Sequence, residues 1–292
     1  MRRHYKPNGA QGSMLLSFLL SMGAVTVVFG SIIESSLLLH ARTRMFNDAQ
    51  NAVVAAADLY FSGVEDPETL QAAVRDQYCV TTFLDAGATR LDFSRIADHL
   101  LILHSAKPVP FLFLPDRVVL NVSMAAVIPQ VVYGLSGLVP FAVVAPEGGF
   151  VYGELYTLKF GGGDGQTGNY GALALDGSGA SNYLDKLEFG YDQVVRVGDV
   201  LTTEPGNMKG PTDEGISYRL DQGNDVIFVV VTDQLPNGRG EIVVRGFAAF
   251  RVQSATARGD VTGDFIEYRT SGEAGPGAND YGLYTRSRLV FF

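Results

Sequence analysis

An uncharged apolar segment near the amino terminus constrains this chain more than any other feature. Residues 14–33, MLLSFLLSMGAVTVVFGSII, contain no charged side chain over twenty positions. A helix rises about 1.5 Å per residue, so a helix of this length crosses the hydrocarbon core of a bilayer, which is about 30 Å thick. A cleaved signal peptide has an apolar region of only about 7–15 residues, whereas here apolar character continues through Leu37, Leu38 and Leu39. The sequence therefore predicts a retained transmembrane helix over residues 14–40.

Basic residues flank this segment on both sides. Residues 1–13 carry three basic side chains and no acid, and Arg42 and Arg44 follow the segment. Basic residues are retained preferentially on the cytoplasmic side of a membrane. We therefore predict a single-pass cell-membrane protein with a cytoplasmic N-terminus over residues 1–13 and an extracellular carboxyl-terminal domain.

A stripe of small and apolar residues continues the helical pattern beyond the apolar segment. Its spacing of three and four places the side chains on one helix face and predicts a juxtamembrane helix over residues 41–62. Small residues let another backbone approach closely, so the stripe packs either against partner subunits or against the protein's own domain. The stripe consists of Leu38, Ala41, Met45, Ala49, Ala52, Ala56 and Leu59.

Glu34 lies at the outer end of the apolar segment. A carboxylate there either reaches interfacial water, which is the favoured interpretation, or pairs with a cation on a partner helix. The candidate assembly contacts of this region are Glu34, Ala41, Ala49, Ala52 and Ala56.

The rest of the chain has the composition of a turn-rich β domain. Hydrophobic residues make up 47% and charged residues 18%, with 34 glycines and 12 prolines, which is more glycine and proline than helical bundles use. The net charge of −9 would repel a polyanion, so nucleic acid is not expected as a partner. A single cysteine, Cys79, excludes an intramolecular disulfide and leaves three interpretations: an intermolecular bridge, a reactive thiol or a buried apolar residue.

Local signals place several elements along the chain. Asp66 reads as an N-cap before Pro67, which predicts a helix over residues 67–78. The apolar run from 118 to 144 is interrupted by prolines, so buried strands are favoured over a second membrane span. Two short helices are predicted near residues 179–189 and 211–221, the second with Pro211 at its start and two acids in its first turn.

Alternating apolar runs and glycine-rich turns dominate residues 151–292. The strings DVIFVVV and EIVVRGFAAFRVQ, joined through DQLPNGRG, form the strongest hairpin candidate. The predicted fold class is therefore α+β: an N-terminal transmembrane helix extended into a juxtamembrane helix, followed by a mostly β, Gly-rich extracytoplasmic domain with short helices.

The stretch TTEPGNMKGPT, residues 202–212, connects a predicted strand ending near Leu201 to the helix beginning near Pro211. Two prolines stiffen it and two glycines permit positive φ angles, so we expect a rigid structural or contact loop. The candidate residues of this loop are Glu204, Pro205, Gly206, Asn207, Met208, Gly210 and Pro211.

Three features follow one another at the amino terminus: the segment GAQGSMLLSFLL, the acidic Glu34, and the stretch HARTRMFNDAQNAVVAAADLYF. This order resembles the TadE/TadG group of tight-adherence (Flp-type) pilus assembly proteins, in which an acidic residue, a basic stretch and an alanine-rich helix follow the membrane segment. Asn47 stands near the usual glutamine of that group.

Longer motifs in the carboxyl-terminal half strengthen this resemblance. GNYGALAL, GASNY, VGD and TEPGNMKGPT occur in the order found in pilus-assembly TadG-related proteins of Gram-positive bacteria, with Lys209 in place of the usual serine. The resemblance marks residues 138–292 as a β-rich TadG-related outer domain. Residues 63–137 then form a variable α/β segment.

The resemblance implies a non-enzymatic structural component of a tight-adherence pilus or a related cell-surface assembly. The expected partners are other assembly subunits and the membrane, with self-association as a further expectation. The alternative is a membrane-tethered module that binds an extracellular ligand such as a polysaccharide through loops 161–168 and 202–212. The two interpretations differ in what the outer domain must contact.

Catalytic patterns in the sequence are weak. His99 and His104 have no acid–base partner pattern, and the loop GGGDGQTG lacks the lysine of a phosphate-binding loop. Three stretches contain acids next to glycines: GGGDGQTG, DGSG and GDVTGD. These acids fit tight turns better than a calcium site. Asp199 and Glu204 are the only basis for a hydrolase hypothesis. We therefore expect no enzyme activity, and no catalytic, cofactor-binding or metal residues.

Overall fold

The computed structural model describes residues 9–80, 90–95, 99–112, 116–160, 169–204 and 206–290. Its helices are α1 (Gly9–Phe61), α2 (Pro67–Val80), α3 (Ala180–Phe189) and α4 (Lys209–Asp221). Its strands are β1 (Arg90–Arg95), β2 (Leu100–Pro110), β3 (Arg117–Val127), β4 (Val132–Leu135), β5 (Leu138–Val144), β6 (Leu155–Phe160), β7 (Asn169–Ala172), β8 (Val195–Arg196), β9 (Val200–Thr202), β10 (Val226–Thr232), β11 (Glu241–Val243), β12 (Gly246–Ala255), β13 (Val261–Ile266), β14 (Tyr268–Thr270), β15 (Glu273–Ala274), β16 (Leu283–Thr285) and β17 (Arg288–Val290).

The chain divides into two compact units. Unit 1 comprises Met1–Ile128 with Ser287–Phe292, and unit 2 comprises Pro129–Arg286. The predicted boundary at residue 138 differs from this division because β4 already pairs with β8 and β15 in unit 2. The last strand, β17, returns to unit 1, where it pairs antiparallel with β3.

Helix α1 is a single helix of 53 residues. It joins the predicted transmembrane and juxtamembrane segments without a break. Its most apolar window of 18 residues has a mean hydropathy of 2.1, and none of that window is buried. By length and composition the helix could therefore cross a membrane, as the sequence predicted.

Unit 1 is built on a four-stranded antiparallel sheet in the order β1-β2-β3-β17. Strands β2 and β3 form a long hairpin whose register runs from the pair Leu100 and Val127 to the pair Pro110 and Arg117. The carboxyl-terminal half of α1 packs on β2, β3 and β17. The buried core of this unit contains Met45, Ala49, Ala52, Val53, Ala56, Ala57, Val74, Leu91, Leu101, Leu103, Val122, Met124, Ala126 and Ile128.

Helix α2 begins where its capping signal predicted. The Asp66 Oδ2 atom accepts hydrogen bonds from the Thr69 backbone N–H at 2.8 Å and from the Thr69 hydroxyl at 2.6 Å. These two bonds stabilise the carboxylate and lower the pKa of Asp66. The helix extends to Val80, and the Cys79 side chain lies outside the described residues.

Unit 2 contains a closed six-stranded barrel in the order β10-β12-β13-β6-β7-β5. Neighbouring strands are antiparallel except for two parallel pairs, β10 with β5 and β6 with β7. Three small sheets accompany the barrel: β11-β9, β14-β16 and β15-β4-β8. Strands β3, β4 and β5 occupy the apolar run from 118 to 144, which confirms strands in place of a second membrane span.

Two hydrophobic clusters use alternate residues of the barrel strands, as the period of two in a β-strand requires. The first cluster contains Ile227, Val229 and Val231 of β10. It also contains residues at the two short helices: Tyr183, Leu187, Met208 and Ile216. The second takes Val230 from the same strand together with residues of the short strands, such as Val195 and Ile242. Strands buried on both faces explain the continuous apolar runs in the sequence.

The predicted hairpin is present in a modified form. Strand β10 pairs antiparallel with β12, with Val226 opposite Arg251 and Val231 opposite Gly246. Residues 241–243, which were expected to extend the second strand, instead pair as β11 with β9. Ile242 contributes to the second hydrophobic cluster from that position.

Both short helices of unit 2 are confirmed, with one change of boundary. Helix α4 begins at Lys209, two residues earlier than predicted, so Pro211 is its third residue. Proline is tolerated there because N–H groups in the first turn have no intrahelical acceptor. Asp213 and Glu214 consequently lie beyond the first turn, which contains no acid. The predicted interaction of these acids with the helix dipole is therefore wrong.

Candidate functional site

The amino-terminal half of α1 exposes an unusually large apolar surface. Its large hydrophobic side chains are between 47% and 77% accessible. A surface of this size is far larger than isolated apolar residues on a soluble domain, and it requires a lipid or protein environment. The exposed residues are Met14, Leu15, Leu16, Phe18, Leu19, Leu20, Met22, Val25, Val27, Val28, Phe29, Ile32, Ile33, Leu37 and Leu39.

The small-residue stripe packs against the protein's own unit. Ala49 and Ala56 are completely buried and Ala52 is 5% exposed, all within the core of unit 1. Alanine at these positions lets the α1 backbone lie close to the sheet. These three candidate contacts are therefore not free for a partner, whereas Ala41 and Glu34 are half-buried. On the same helix, Phe46 remains 39% exposed.

Glu34 has a hydrogen-bond partner within unit 1. Its Oε1 atom accepts a hydrogen bond from the backbone N–H of Leu112 at 2.7 Å. This contact was not predicted, because Leu112 lies 78 positions away in sequence. It brings the end of the β2–β3 hairpin to the outer end of the apolar segment.

Asp48 is an ionisable group on the packed part of α1 that the sequence reasoning missed. Its Oδ2 atom is buried and, among the described residues, has no hydrogen-bond partner. Burial raises the pKa of Asp48, and the nearby Arg44 partly opposes this effect. Its place one residue before the buried Ala49 was the signal in the sequence that a carboxylate adjoins the packed face.

We predict that Asp48→Asn stabilises the protein at neutral pH. Because the folded pKa is raised above 3.8, the charged carboxylate opposes folding at high pH, and this penalty disappears as the pH falls below that ordinary value. The gain should be less than about 1 kcal/mol, since the side chain is partly solvated. Denaturant unfolding from pH 7 to pH 3 should show the difference between variant and wild type shrinking.

Asp58→Asn is the matched control on the same helix. The Asp58 Oδ1 atom accepts a hydrogen bond from the Ser287 hydroxyl at 2.5 Å, so its replacement should give no gain in stability. Equal gains in both variants would contradict the role assigned to Asp48.

The loop 202–212 connects β9 to α4, as predicted, and contacts several parts of unit 2. The Glu204 Oε2 atom accepts a hydrogen bond from the Gly179 backbone N–H at 3.0 Å, at the N-cap of α3. Gly179 itself has no side chain to cap the helix. Glu204 therefore places a carboxylate at a helix N-terminus from a distant position, where the helix dipole favours negative charge.

Two further residues of the loop have structural roles. Met208 is 4% exposed and belongs to the first hydrophobic cluster. The Asn207 Oδ1 atom accepts a hydrogen bond from the Lys209 backbone N–H at 3.2 Å. Gly206 would place an added Cβ 2.7 Å from the Met208 methyl group, whereas Gly210 has open space around it. Pro205 lies outside the described residues.

We predict that Glu204→Ala destabilises unit 2 by about 0.5–2 kcal/mol, the usual cost of removing an N-terminal cap. The Gly179 N–H loses its acceptor and α3 loses a favourable charge at its N-terminus. Hydrogen exchange should quicken most in the first turn of α3. Glu188→Ala, near the opposite end of the same helix, serves as the control and should leave that turn unchanged.

Two open clefts in unit 2 share lining residues of the segment 144–149. One has a volume of about 380 Å³ and is lined by Glu147, Phe150, Tyr156 and Phe265 among others. Within it the Phe150 and Phe265 rings stack with centroids 3.7 Å apart. The other has a volume of about 470 Å³, and half of its lining residues are polar: Thr232, Asp233, Asn279, Asp280 and Tyr281.

The acids considered for catalysis or metal binding have structural partners. The Asp199 Oδ2 atom accepts a hydrogen bond from the Arg196 backbone N–H at 2.8 Å, and Glu204 caps α3. Asp264, in GDVTGD, is 2% exposed and pairs with Arg251 at 2.7 Å. Asp176, in DGSG, lies 3.7 Å from the Lys186 ammonium group. The loop 161–168 lies outside the described residues.

Within the described ranges, no three His, Cys, Asp or Glu side chains are grouped as a metal ion would require. The His104 Nδ1 atom lies 2.8 Å from the Ser123 hydroxyl across the β2–β3 hairpin. This is a cross-strand contact between polar side chains. It gives His104 a structural partner within the sheet.

Comparison with known proteins gave no match among family models, curated proteins or solved structures.

Proposed function

We propose that this protein is a non-enzymatic, membrane-anchored structural component of a tight-adherence pilus or a related cell-surface assembly. The observation that carries the proposal is the division of α1 into two halves. Its amino-terminal half is apolar and exposed, while its carboxyl-terminal half is the packed spine of unit 1. One continuous helix thus connects a membrane-compatible segment directly to a folded unit.

The magnitude of the exposed surface supports a membrane environment. Burying one large apolar side chain contributes about 1.5–3 kcal/mol, and fifteen such residues of α1 between Met14 and Leu39 are exposed. Leaving them in water would cost more than the entire stability of a typical domain, about 5–15 kcal/mol. The basic residues before the segment support a cytoplasmic amino terminus, with both units outside the cell membrane.

The assembly role draws on the resemblance to the TadE/TadG group and on the surface that α1 leaves free. The alanine stripe is used by the protein's own sheet, so partner contacts fall on the remaining faces of the helix. Phe46 lies on the packed part of the helix and is a large apolar residue that remains 39% exposed. We infer that the exposed side of α1, including Phe46, faces neighbouring subunits.

Replacing Val25 and Val28 by arginine tests the membrane anchor. Each arginine near the centre of a span costs about 2.5–3.5 kcal/mol, so the double variant should be lost from carbonate-washed membranes. The control replaces Val200 and Val243, exposed valines of unit 2, by arginine and should leave retention unchanged. Mass spectrometry of the mature chain completes the test, since a chain lacking residues 14–33 would exclude a retained anchor.

A photo-crosslinking residue at Phe46 tests the assembly role in cells. Crosslinks to other surface-assembly subunits or to a second copy are expected, whereas the same residue at Tyr218, on α4, should give none. A chain that stays monomeric and free of filament components under these conditions would overturn the assembly role while leaving the anchor intact.

The pair of clefts beside segment 144–149 favours a second candidate function, a tethered module that binds an extracellular polysaccharide. Clefts of this size, with aromatic walls and a few polar groups, are typical of ligand sites. Glycan-array binding by the full-length protein in detergent should then be lost in Glu147→Gln and Tyr281→Ala but kept in Tyr218→Ala. An array without binding would exclude this function.

A further inference from the structure

Helix α1 changes from apolar to basic within a few residues at the outer end of its exposed apolar surface. Residues 35–47 contain no acid, whereas His40, Arg42 and Arg44 are basic, and all three side chains are exposed. The whole chain carries a net charge of −9, so this short segment is opposite in sign to the rest of the protein. A local positive charge of this kind attracts an anionic partner.

Arg42 lies at the level where the apolar surface ends. Ile32 and Leu39 are 59% and 66% exposed, and intervals of seven and three residues place Ile32, Leu39 and Arg42 on one side of the helix. Arg42 follows Leu39 by roughly 5 Å along the helix axis. The headgroup layer adds roughly 5–7 Å to each side of the hydrocarbon core. With Leu39 at the edge of the core, Arg42 therefore lies in the headgroup layer.

Arg42 differs from Arg44 in its surroundings within the protein. Arg44 lies close enough to Asp48 to oppose the rise in the pKa of that carboxyl. Arg42 has no ion pair or hydrogen bond to any residue that the structure describes. The nearest acids on α1, Glu34 and Asp48, are roughly 12 Å and 9 Å away along the axis. The Arg42 guanidinium group thus keeps its charge and its five N–H donors for a group outside the chain.

A phospholipid phosphate fits this position in charge, in hydrogen bonding and in depth. A guanidinium group binds phosphate through two parallel N–H donors, which suits arginine better than lysine. The exposed Leu39 side chain, one turn earlier on the same side, is placed to contact the acyl chains of the same lipid. A basic side chain beside an anionic membrane surface strengthens the attraction about fivefold.

We propose that Arg42 binds the phosphate of an anionic phospholipid in the outer leaflet. This rests on the proposed membrane anchor and names the lipid class at its outer end. The contact fixes the depth of α1 in the bilayer, because a shift of Arg42 into the hydrocarbon core or out of the headgroup layer would break it.

The absence of tryptophan from the chain allows a local test on the full-length protein. Leu39→Trp places a single tryptophan one turn before Arg42, and the protein is reconstituted into phosphatidylcholine vesicles that contain a minor fraction of phosphatidylglycerol. Bromine on the acyl chains of one lipid class or the other quenches the tryptophan only where that lipid is in contact with it. We expect phosphatidylglycerol to quench as though its local concentration were about fivefold above its share of the bilayer.

Three variants in the Leu39→Trp background assign this preference to Arg42. Arg42→Gln should abolish it, and Arg42→Lys should retain part of it, because lysine keeps the charge but not the paired donors. Arg239→Gln removes an exposed arginine of unit 2 and should leave the preference unchanged. High salt should weaken the preference, as expected for a contact between charges.

Phe29→Trp, in the span, tests the anchor separately. Quenching at position 29, together with a preference at position 39 that Arg42→Gln removes, supports the proposal. Equal quenching by the two lipids at position 39, or a preference that survives Arg42→Gln, overturns the proposal and leaves the anchor standing. The same follows from quenching at 29 with none at 39, since a neighbouring subunit would then cover Arg42. No quenching at 29 overturns the anchor and the lipid contact together. Circular dichroism confirms that each variant is folded.

Discussion

Gly263→Ala is expected to destabilise unit 2 by about 3 kcal/mol, the upper end of the usual cost of overpacking by one methyl group. Gly263 lies in β13, opposite Val252 of β12 and Tyr156 of β6. A Cβ atom at this position would collide with the backbone carbonyl oxygen of Arg251 and lie 2.7 Å from the Phe250 ring. Because the obstacle is backbone, relief requires β13 to separate from β12 and so opens the barrel.

The substitution also has a stabilising effect through the unfolded chain, but this effect is smaller than the cost of the clash in the folded barrel. Replacing glycine by alanine restricts the unfolded chain and stabilises by about 0.4–1 kcal/mol where the native conformation allows it. Gly210→Ala is the matched control, because Gly210 has open space around it in the first turn of α4. Denaturant unfolding should show a large loss for Gly263→Ala and none for Gly210→Ala, and equal stabilities would contradict the barrel packing described.

Thr212→Val is expected to destabilise unit 2 by about 1–3 kcal/mol through a buried hydrogen-bond network. The Thr212 side chain is completely buried, with its hydroxyl 2.8 Å from the Tyr183 hydroxyl. The Tyr170 hydroxyl donates its proton to the Gly259 carbonyl oxygen at 2.8 Å, and its oxygen lies 3.1 Å from Thr212 Oγ1. Burial raises the pKa of both tyrosines far above the usual range, so they remain protonated donors.

Valine preserves the shape of threonine but removes its hydroxyl, which leaves the Tyr183 hydroxyl buried without this partner. A double-mutant cycle with Tyr183→Phe measures the network directly. Tyr183→Phe should cost less in the Thr212→Val background than in the wild type, because its partner is already absent. Additive losses would show that the two hydroxyl groups do not interact. Thr157→Val, at an exposed position on β6, should change stability by less than about 0.5 kcal/mol.

This network also explains the role of the unusual loop before α4. The segment 202–212 continues into the first turn of α4, where it supplies Thr212, buries Met208 in the first hydrophobic cluster and places Glu204 at the N-terminus of α3. Its proline and glycine content therefore serves a defined shape within unit 2. The sequence reasoning reached the same conclusion about shape, but it missed Thr212, whose hydroxyl contacts Tyr170 and Tyr183 from distant positions.

The elements that the sequence predicted well depend on contacts within a few residues or between consecutive apolar runs. Helix α1 follows from its composition and its three-to-four spacing, and α2 follows from Asp66, whose carboxylate binds the N–H of Thr69 three positions later. Likewise, the pairing of β10 with β12 follows from two apolar runs separated by a turn. In the helices the interacting groups are neighbours along the chain, and in the strands they belong to consecutive apolar runs, so the pattern carries the information.

Only the tertiary structure decided which distant groups meet. Three contacts join residues far apart in sequence. They are the parallel pairing of β5 with β10 that closes the barrel, the pairing of β17 with β3, and the contact of Leu112 with Glu34. The tertiary structure also showed that the alanine stripe packs against the protein's own sheet. Backbone N–H and C=O groups are the same at every position, so strand pairing and backbone contacts leave little trace in side-chain identity. The sequence alone thus determined an apolar helix joined to a mostly β chain, whereas long-range packing decided which of its surfaces are buried and which remain exposed.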